Sequence, residues 1–314
     1  MSIKELNVLL AKAQSDRATK EAALTYSDFA AIGNEFELTF KQSVNDLPIT
    51  TASFGKHARV PGMAGVDLKA TTYLSDNGSS APMFEKWLMS CGFGLSQAGD
   101  VRTYAPTSTQ SSWTYLTAWG NTGTKLAANS VITKAYSMLC DGTIDFAIGE
   151  PAKLSLTGKG VADGAPACGN YVSGTLALPT DTIPVMMACS SMAAMGFSWD
   201  ILKGSVAFKN QVELVKEIDS TFPFGYRYAD ISDRDFEIKL SVYQTTDLPY
   251  PALGAGTLGS FNIAFGATGA KVRIYSPSSS FQITDVAPGA DGGQNTFEIT
   301  GTIQYEDFAV KTGE

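Results

Sequence analysis

The chain has 314 residues, 44% apolar and only 17% charged, with a formal net charge of −8 and an isoelectric point near 4.8. That length supports one large or two ordinary domains with real cores. The acidic balance excludes electrostatic adhesion to nucleic acid, which needs a Lys/Arg footprint. A lone histidine, His57, with Cys91, Cys140, Cys168 and Cys189 in no CxxC spacing, excludes a convincing zinc site.

In chain order, residues 1–25 open with Ile3, Leu6, Leu9, Leu10 and Ala13, which suit either an amphipathic helix or an arm ordered on a neighbour. No secretory signal and no membrane-spanning run of apolar residues is expected. EFELTFK (35–41) and GVDLKATTYL (65–74) alternate apolar and polar residues and read as half-buried strands. Residues 82–93, PMFEKWLMSCGF, form the one clear helix signal. Phe84, Trp87, Leu88 and Cys91 make a stripe at i, i+3, i+4 and i+7, with Pro82 suited to the first turn and Gly92 to the stop. Such a helix closes the open face of a sheet. VRTYAP (101–106), SWTYLTAWG (112–120), ITKAYSMLC (132–140) and TIDFAIG (143–149) read as further strands. Asp141-Gly142 is expected to be a two-residue hairpin turn. Residues 150–160 supply another strand, and 161–184 read as a Gly/Ala/Pro-rich linker.

Beyond the linker the pattern restarts. FAAIGNEFELTFK (29–41) aligns with MAAMGFSWDILKG (192–204), setting Phe36 against Trp199; VDLKATTYL (66–74) aligns with FEIKLSVYQ (236–244). TYLTAWG (114–120) is echoed by FNIAFG (261–266), residues 134–151 by 271–288, and 151–160 by 295–304. The expected division is therefore an arm (1–28), a first domain (29–160), a linker (161–184) and a second domain (185–314), as in a duplicated chain. At 245–259 at most a short helical turn is expected to match the first domain's helix.

Chemistry is sparse. His57 has no GxSxG elbow nearby, and GAGTLG (254–259) lacks the βαβ context of a phosphate loop. Asp230, Asp233 and Asp235 do not have EF-hand spacing and read as a solvated or inter-subunit patch, as do Lys56, His57 and Arg59. No catalytic residue, cofactor or metal is expected.

The motifs, in their order, resemble the tail tube (major tail) proteins of long-tailed phages. NVLLAKAQ (7–14) is similar to their amino-terminal segment, and GKHARVPGMAGVDLKATTYL (55–74) to the glycine-led strand entering their main sheet. APMFEKWLMSCGF (81–93) is similar to their helix, VRTYAP to the strand that follows, and residues 134–160 to their hairpin. The polar stretch 15–25 departs from the family pattern. The resemblance implies a mainly β fold of two packed antiparallel sheets (a tail-tube β-sandwich or barrel) with one flanking helix, duplicated here. It also implies rings of three pseudo-sixfold chains, or six chains, stacked into a virion tail tube assembled in the host cytoplasm. Tape measure and terminator proteins would be partners, and DNA would pass through an acidic lumen without specific binding. Two other classes fit the composition: a capsid-decorating or adhesin-like β module, and a β-sandwich glycan hydrolase.

Overall fold

The computed structural model describes residues 7–313 apart from 22, 33–34, 47–58, 77–79, 123–129, 170–192, 195–196, 218–223, 245–247, 267–270 and 305–306. The described chain is mainly β. Its first half runs β1 (Val8–Ala13), β2 (Phe29–Ile32), β3 (Phe36–Asp46), β4 (Arg59–Tyr73), α1 (Glu85–Ser90), β5 (Phe93–Ala98), β6 (Val101–Pro106), β7 (Leu116–Thr122), β8 (Ser130–Ala147), β9 (Lys153–Ala162) and β10 (Ala167–Gly169). Its second half runs β11 (Ala193–Ala194), β12 (Phe197–Ser198), β13 (Ile201–Ala207), β14 (Gln211–Lys216), β15 (Tyr226–Asp233) and β16 (Phe236–Tyr243). It continues with α2 (Tyr250–Ala255), β17 (Leu258–Phe265), β18 (Val272–Asp291), β19 (Gln294–Ile303) and β20 (Ala309–Thr312).

Apart from the β14–β15 pair, these strands form one connected antiparallel sheet, not the two separate packed sheets expected from sequence. No series of described pairings returns to its start, so the sheet is open rather than a closed barrel. The reason is β8. Its early residues pair with β7, and its later residues pair with β9 on one side and β13 on the other. At Tyr136–Leu139 the register slips by a bulge, and Ser137 takes φ +50°, left-handed backbone that an L-residue rarely adopts. The strand bends there and carries the sheet over on itself. A Cβ at Gly120 of β7 would lie 3.1 Å from Leu38 of β3, although those two strands do not pair.

Asp141-Gly142 is not a hairpin turn; β8 runs straight through it. Gly142 is a glycine because a Cβ there would meet the Phe208 ring at 3.0 Å and Cys91 Sγ at 3.3 Å. The true β8–β9 turn spans 148–152, with Gly149 at φ +75°. At the amino end, Val8, Leu9, Leu10 and Ala11 are all buried in β1, which lies between β2 and β7 and is a strand, not a helix. Four buried residues in a row mark a strand covered on both faces.

One pairing pattern occurs in both halves. β3–β4–β9–β8–β7–β1–β2 is matched by β13–β16–β19–β18–β17–β11–β12, and β10 sits on β8 as β20 sits on β18. Keeping 66–74 against 236–244, the ladders set Thr157-Gly158 opposite Thr300-Gly301, one residue from the sequence alignment. They also set Phe36 against Gly204 instead of Trp199. By pairing, Ala193–Ala194 matches β1 rather than β2. Short apolar strings align by composition alone; ladders do not.

Helix α1 packs its stripe into the core, with Phe84, Trp87, Leu88 and Cys91 all at most 1% exposed. It is shorter than the 82–93 signal, and α2 has the same six residues of helix, ending on Gly256 in the left-handed conformation. Glu85 in the first turn accepts a hydrogen bond from Tyr104 Oη (2.7 Å) and pairs with Arg102 (3.4 Å), tying α1 to β6. Lys86 Nζ donates to the carbonyls of Ala11 (3.0 Å) and Asp28 (3.4 Å), and burial brings its pKa down to about 8.

Trp87→Ala is expected to cost about 3–5 kcal/mol in urea unfolding. Lys86 loses its proton near pH 8 when folded but near its ordinary 10.5 when unfolded. Between those values the unfolded chain binds more protons, so the contribution of Lys86 to stability improves as pH rises. Thermal melts should show wild type gaining on Lys86→Gln across that window; a pH-independent difference would contradict the burial of this amine.

Candidate assembly surface

Eight strands make one continuous run in the order β3–β4–β9–β8–β13–β16–β19–β18. Alternation sorts their side chains. Leu68, Leu154, Leu156, Ile144, Val206, Ile238, Leu240 and Ile299 point to the core. Their neighbours Asp67, Lys69, Thr157, Lys159, Lys203, Lys239 and Glu298 are exposed on the other face. The result is a broad polar wall shared by both halves.

Its charges are interleaved. Lys69 pairs with Glu37 (3.8 Å), and Lys209 and Lys239 both pair with Glu237 (2.6 and 2.9 Å), whose carboxyl these lysines hold below the usual range. Ser155 donates to Asp145 (3.2 Å) and Ser241 to Glu298 (2.7 Å). A depression of ≈ 350 Å³ over the β8–β13 junction is lined by Asp145, Glu150 and Glu298 on the acidic side and Lys153, Lys203 and Lys239 on the basic side. These exposed pairs add little stability. They do neutralise Lys69 and Lys239 on the wall.

The halves are locked together beneath this wall. Phe93, Phe208, Phe236 and Phe308 are each fully buried, with ring centroids 4.8–6.2 Å apart. Beside them Asn210 Nδ2 donates to the carbonyls of Cys91 (2.9 Å) and Cys140 (3.0 Å), and its backbone N–H donates to Asp141 (2.8 Å). Arg234 donates to Asn210 Oδ1 (2.9 Å) and to the carbonyls of Cys91 (3.1 Å) and Gly92 (3.2 Å). The second half thus satisfies the Cys91 carbonyl left open where α1 of the first half ends and adds to the Gly92 carbonyl, which Thr107 N already bonds (3.1 Å). Gly92, at φ +80°, leaves room for the guanidinium. The β14–β15 hairpin holds the sheet from the opposite side, on the wall's own face, where Leu139 stands opposite Lys159 and a Cβ at Gly65 would lie 2.7 Å from Leu214. There Val212 and Ala229 pack on Tyr115 and Leu139, and Ala229 N donates to Ser137 Oγ (3.1 Å).

Of the residues singled out from sequence, Lys56 and His57 lie outside the described residues, and Arg59 opens β4. Asp230 accepts two hydrogen bonds from Gln110 Nε2 (2.8 and 3.0 Å), while Asp233 accepts one from the backbone of Arg234 (2.8 Å). Asp235 is exposed. Among the described residues no three His, Cys, Asp or Glu side chains converge as a metal site would require. Cys91 and Cys140 are buried thiols, with burial pushing Cys140 up to about 12 and Cys91 well above its ordinary value. Asn210 and Arg234 carry no sequence signature, because a lone Asn or Arg in a polar stretch announces neither its burial nor its distant partners.

Asn210→Ala removes the amide donor to the Cys140 carbonyl and the acceptor of Arg234 Nε, and should cost about 1–3 kcal/mol in denaturant titration. A loss below that range would mean water replaces the amide. No protein-family model matches the chain, and no curated protein is found similar to it.

Proposed function

We propose that the protein is a structural subunit of a tubular assembly, a phage tail tube, and that its two halves are a duplicated tube domain. The observation that carries this reading is the eight-stranded run with one face on the core and the other polar outside the part that β14–β15 covers, ending in β3 and β18 edges that no described strand covers. A wall with that character suits a surface shared among copies better than it suits a pocket. The resemblance of residues 7–14, 55–74, 81–93 and 101–106 to tail tube proteins supports the same reading.

In this reading each chain supplies two tube domains, so three chains make a pseudo-sixfold ring and rings stack into a tube. Three chains at −8 each bring −24 formal charges to a ring. The polar face lines the lumen, where carboxylates interleaved with the lysines break up a cationic track and the net charge repels DNA. DNA then passes without adhering. The work is physical guidance, not catalysis, and tape measure and terminator proteins would be assembly partners.

Negative-stain microscopy with mass measurement of an isolated ring is the test. Annular particles of three chains are expected; six chains would retain the tube and remove the pseudo-sixfold count. A chain that stays monomeric at every concentration tried would sink the reading in favour of a decorating or adhesin-like module.

A further inference from the structure

The join between the two halves is itself a strand pairing. β8 and β13 set Thr143 opposite Ala207, Ile144 opposite Val206, Asp145 opposite Ser205 and Phe146 opposite Gly204. The recurring ladders identify what stands at the same places in the other copies of these strands. β13 corresponds to β3, with Gly204, Ser205, Val206 and Ala207 matching Phe36, Glu37, Leu38 and Thr39. β8 corresponds to β18, with Thr143, Ile144, Asp145 and Phe146 matching Ala287, Pro288, Gly289 and Ala290.

No described strand pairs with either of these edges, and their backbones face the right way. In an antiparallel ladder successive residues direct N–H and C=O to opposite sides. Phe208 N donates to Gly142 O and Ile148 N to Leu202 O (both 2.9 Å), so even-numbered residues of β8 address β13. Thr71 N donates to Glu35 O (2.8 Å), so odd-numbered residues of β3 address β4 and Phe36, Leu38 and Phe40 address the free side. Following the ladders across β16 and β19 leaves Val286, Pro288 and Ala290 addressing the free side of β18.

We propose that β18 of one copy pairs with β3 of a second copy in the register of β8 with β13, setting Ala287 opposite Thr39, Pro288 opposite Leu38, Gly289 opposite Glu37 and Ala290 opposite Phe36. Side-chain sizes support that register because they are exchanged between the two strands. Within the chain the Phe146 ring occupies the space over Gly204, where a Cβ would come within 2.6 Å of it. Across the seam the aromatic is Phe36 and the small residue Ala290. Thr143 with Ala207 becomes Ala287 with Thr39, and Asp145 with Ser205 becomes Gly289 with Glu37. Each bulky or charged member has moved to the opposite strand, which preserves complementarity without preserving sequence.

Two substitutions keep this seam weaker than the internal join. Pro288 stands where Ile144 donates, so the centre of the edge lacks one N–H. Beyond Ala290, Asp291 meets Glu35, a like-charged pair. An edge handicapped in this way resists casual pairing and closes only when ring geometry presents several contacts together. The contact is head-to-tail, so it generates a ring or an open filament according to its rotation. It rests on the tube reading only for ring closure.

The test mixes two single variants, Thr39→Cys and Ala287→Cys, each in a Cys168→Ser, Cys189→Ser background, so that any disulfide joins different chains. Mild oxidation of the associated protein should link the two peptides in mass mapping. Thr39→Cys with Ala290→Cys, out of register, should give at least tenfold less. Rings without the in-register link would overturn the seam while leaving the tube reading intact. The link in filaments that never close would support the seam and remove the tube. Pro288→Ile, with Pro288→Ala as a gentler second variant, should lower the concentration at which association begins by about tenfold, the scale of one regained hydrogen bond. If neither variant associates more readily than wild type, the proline is not a brake on this edge.

Discussion

Much of this molecule depends on β8 being hydrogen-bonded on both sides along its later residues. β9 takes one side and β13, from the other half of the chain, takes the other. A strand in that position must be apolar toward the core and must lie close to whatever crosses it. Gly142 admits the Phe208 ring, and Gly204 admits Phe146. Adding a methyl group at either position would push an aromatic ring out of a core in which rings already touch. The polar wall above is wide because the join below is tight.

The buried clip of Asn210 and Arg234 solves a different problem at the same place. Helix α1 is only six residues long, so a large share of its carbonyls lack partners within it. Just past its end, the carbonyls of Cys91 and Gly92 turn toward the second half, which supplies an amide and a guanidinium. Polar satisfaction and aromatic packing thus select the same relative placement of the halves. Apolar contacts alone could slide; directed hydrogen bonds cannot slide without breaking.

Sequence reading was strongest where one local period decides the structure. Alternation in EFELTFK and VDLKATTYL and the strand VRTYAP found β3, β4 and β6, and the stripe of α1 identified its buried side chains. It failed where a residue answers to a distant partner. Asp141-Gly142 has the local chemistry of a turn, but its glycine accommodates Phe208 and its aspartate accepts from Asn210. The amino-terminal apolar run fits a helix or a strand equally by composition, and β7 decides for strand. Two separate sheets were expected because no local pattern shows that a strand will bend at Ser137 and serve both parts of a sheet. For the candidate surface, the alternating residues were legible, but their gathering into one wall needs strand order, which a single sequence does not carry.

The pairing of β6 with β20, in which Arg102 faces Thr312, has a consequence for how the protein is made. A ribosome releases β6 long before β20 exists, so the β5–β6 hairpin must wait with one edge uncovered. The cluster around Phe93 waits with it, since Phe308 arrives in the same late segment. Burial of those rings therefore waits for the segment that carries Phe308 and β20, and a chain cut short before it would present an unpaired strand and an open aromatic pocket to the cell's quality-control machinery.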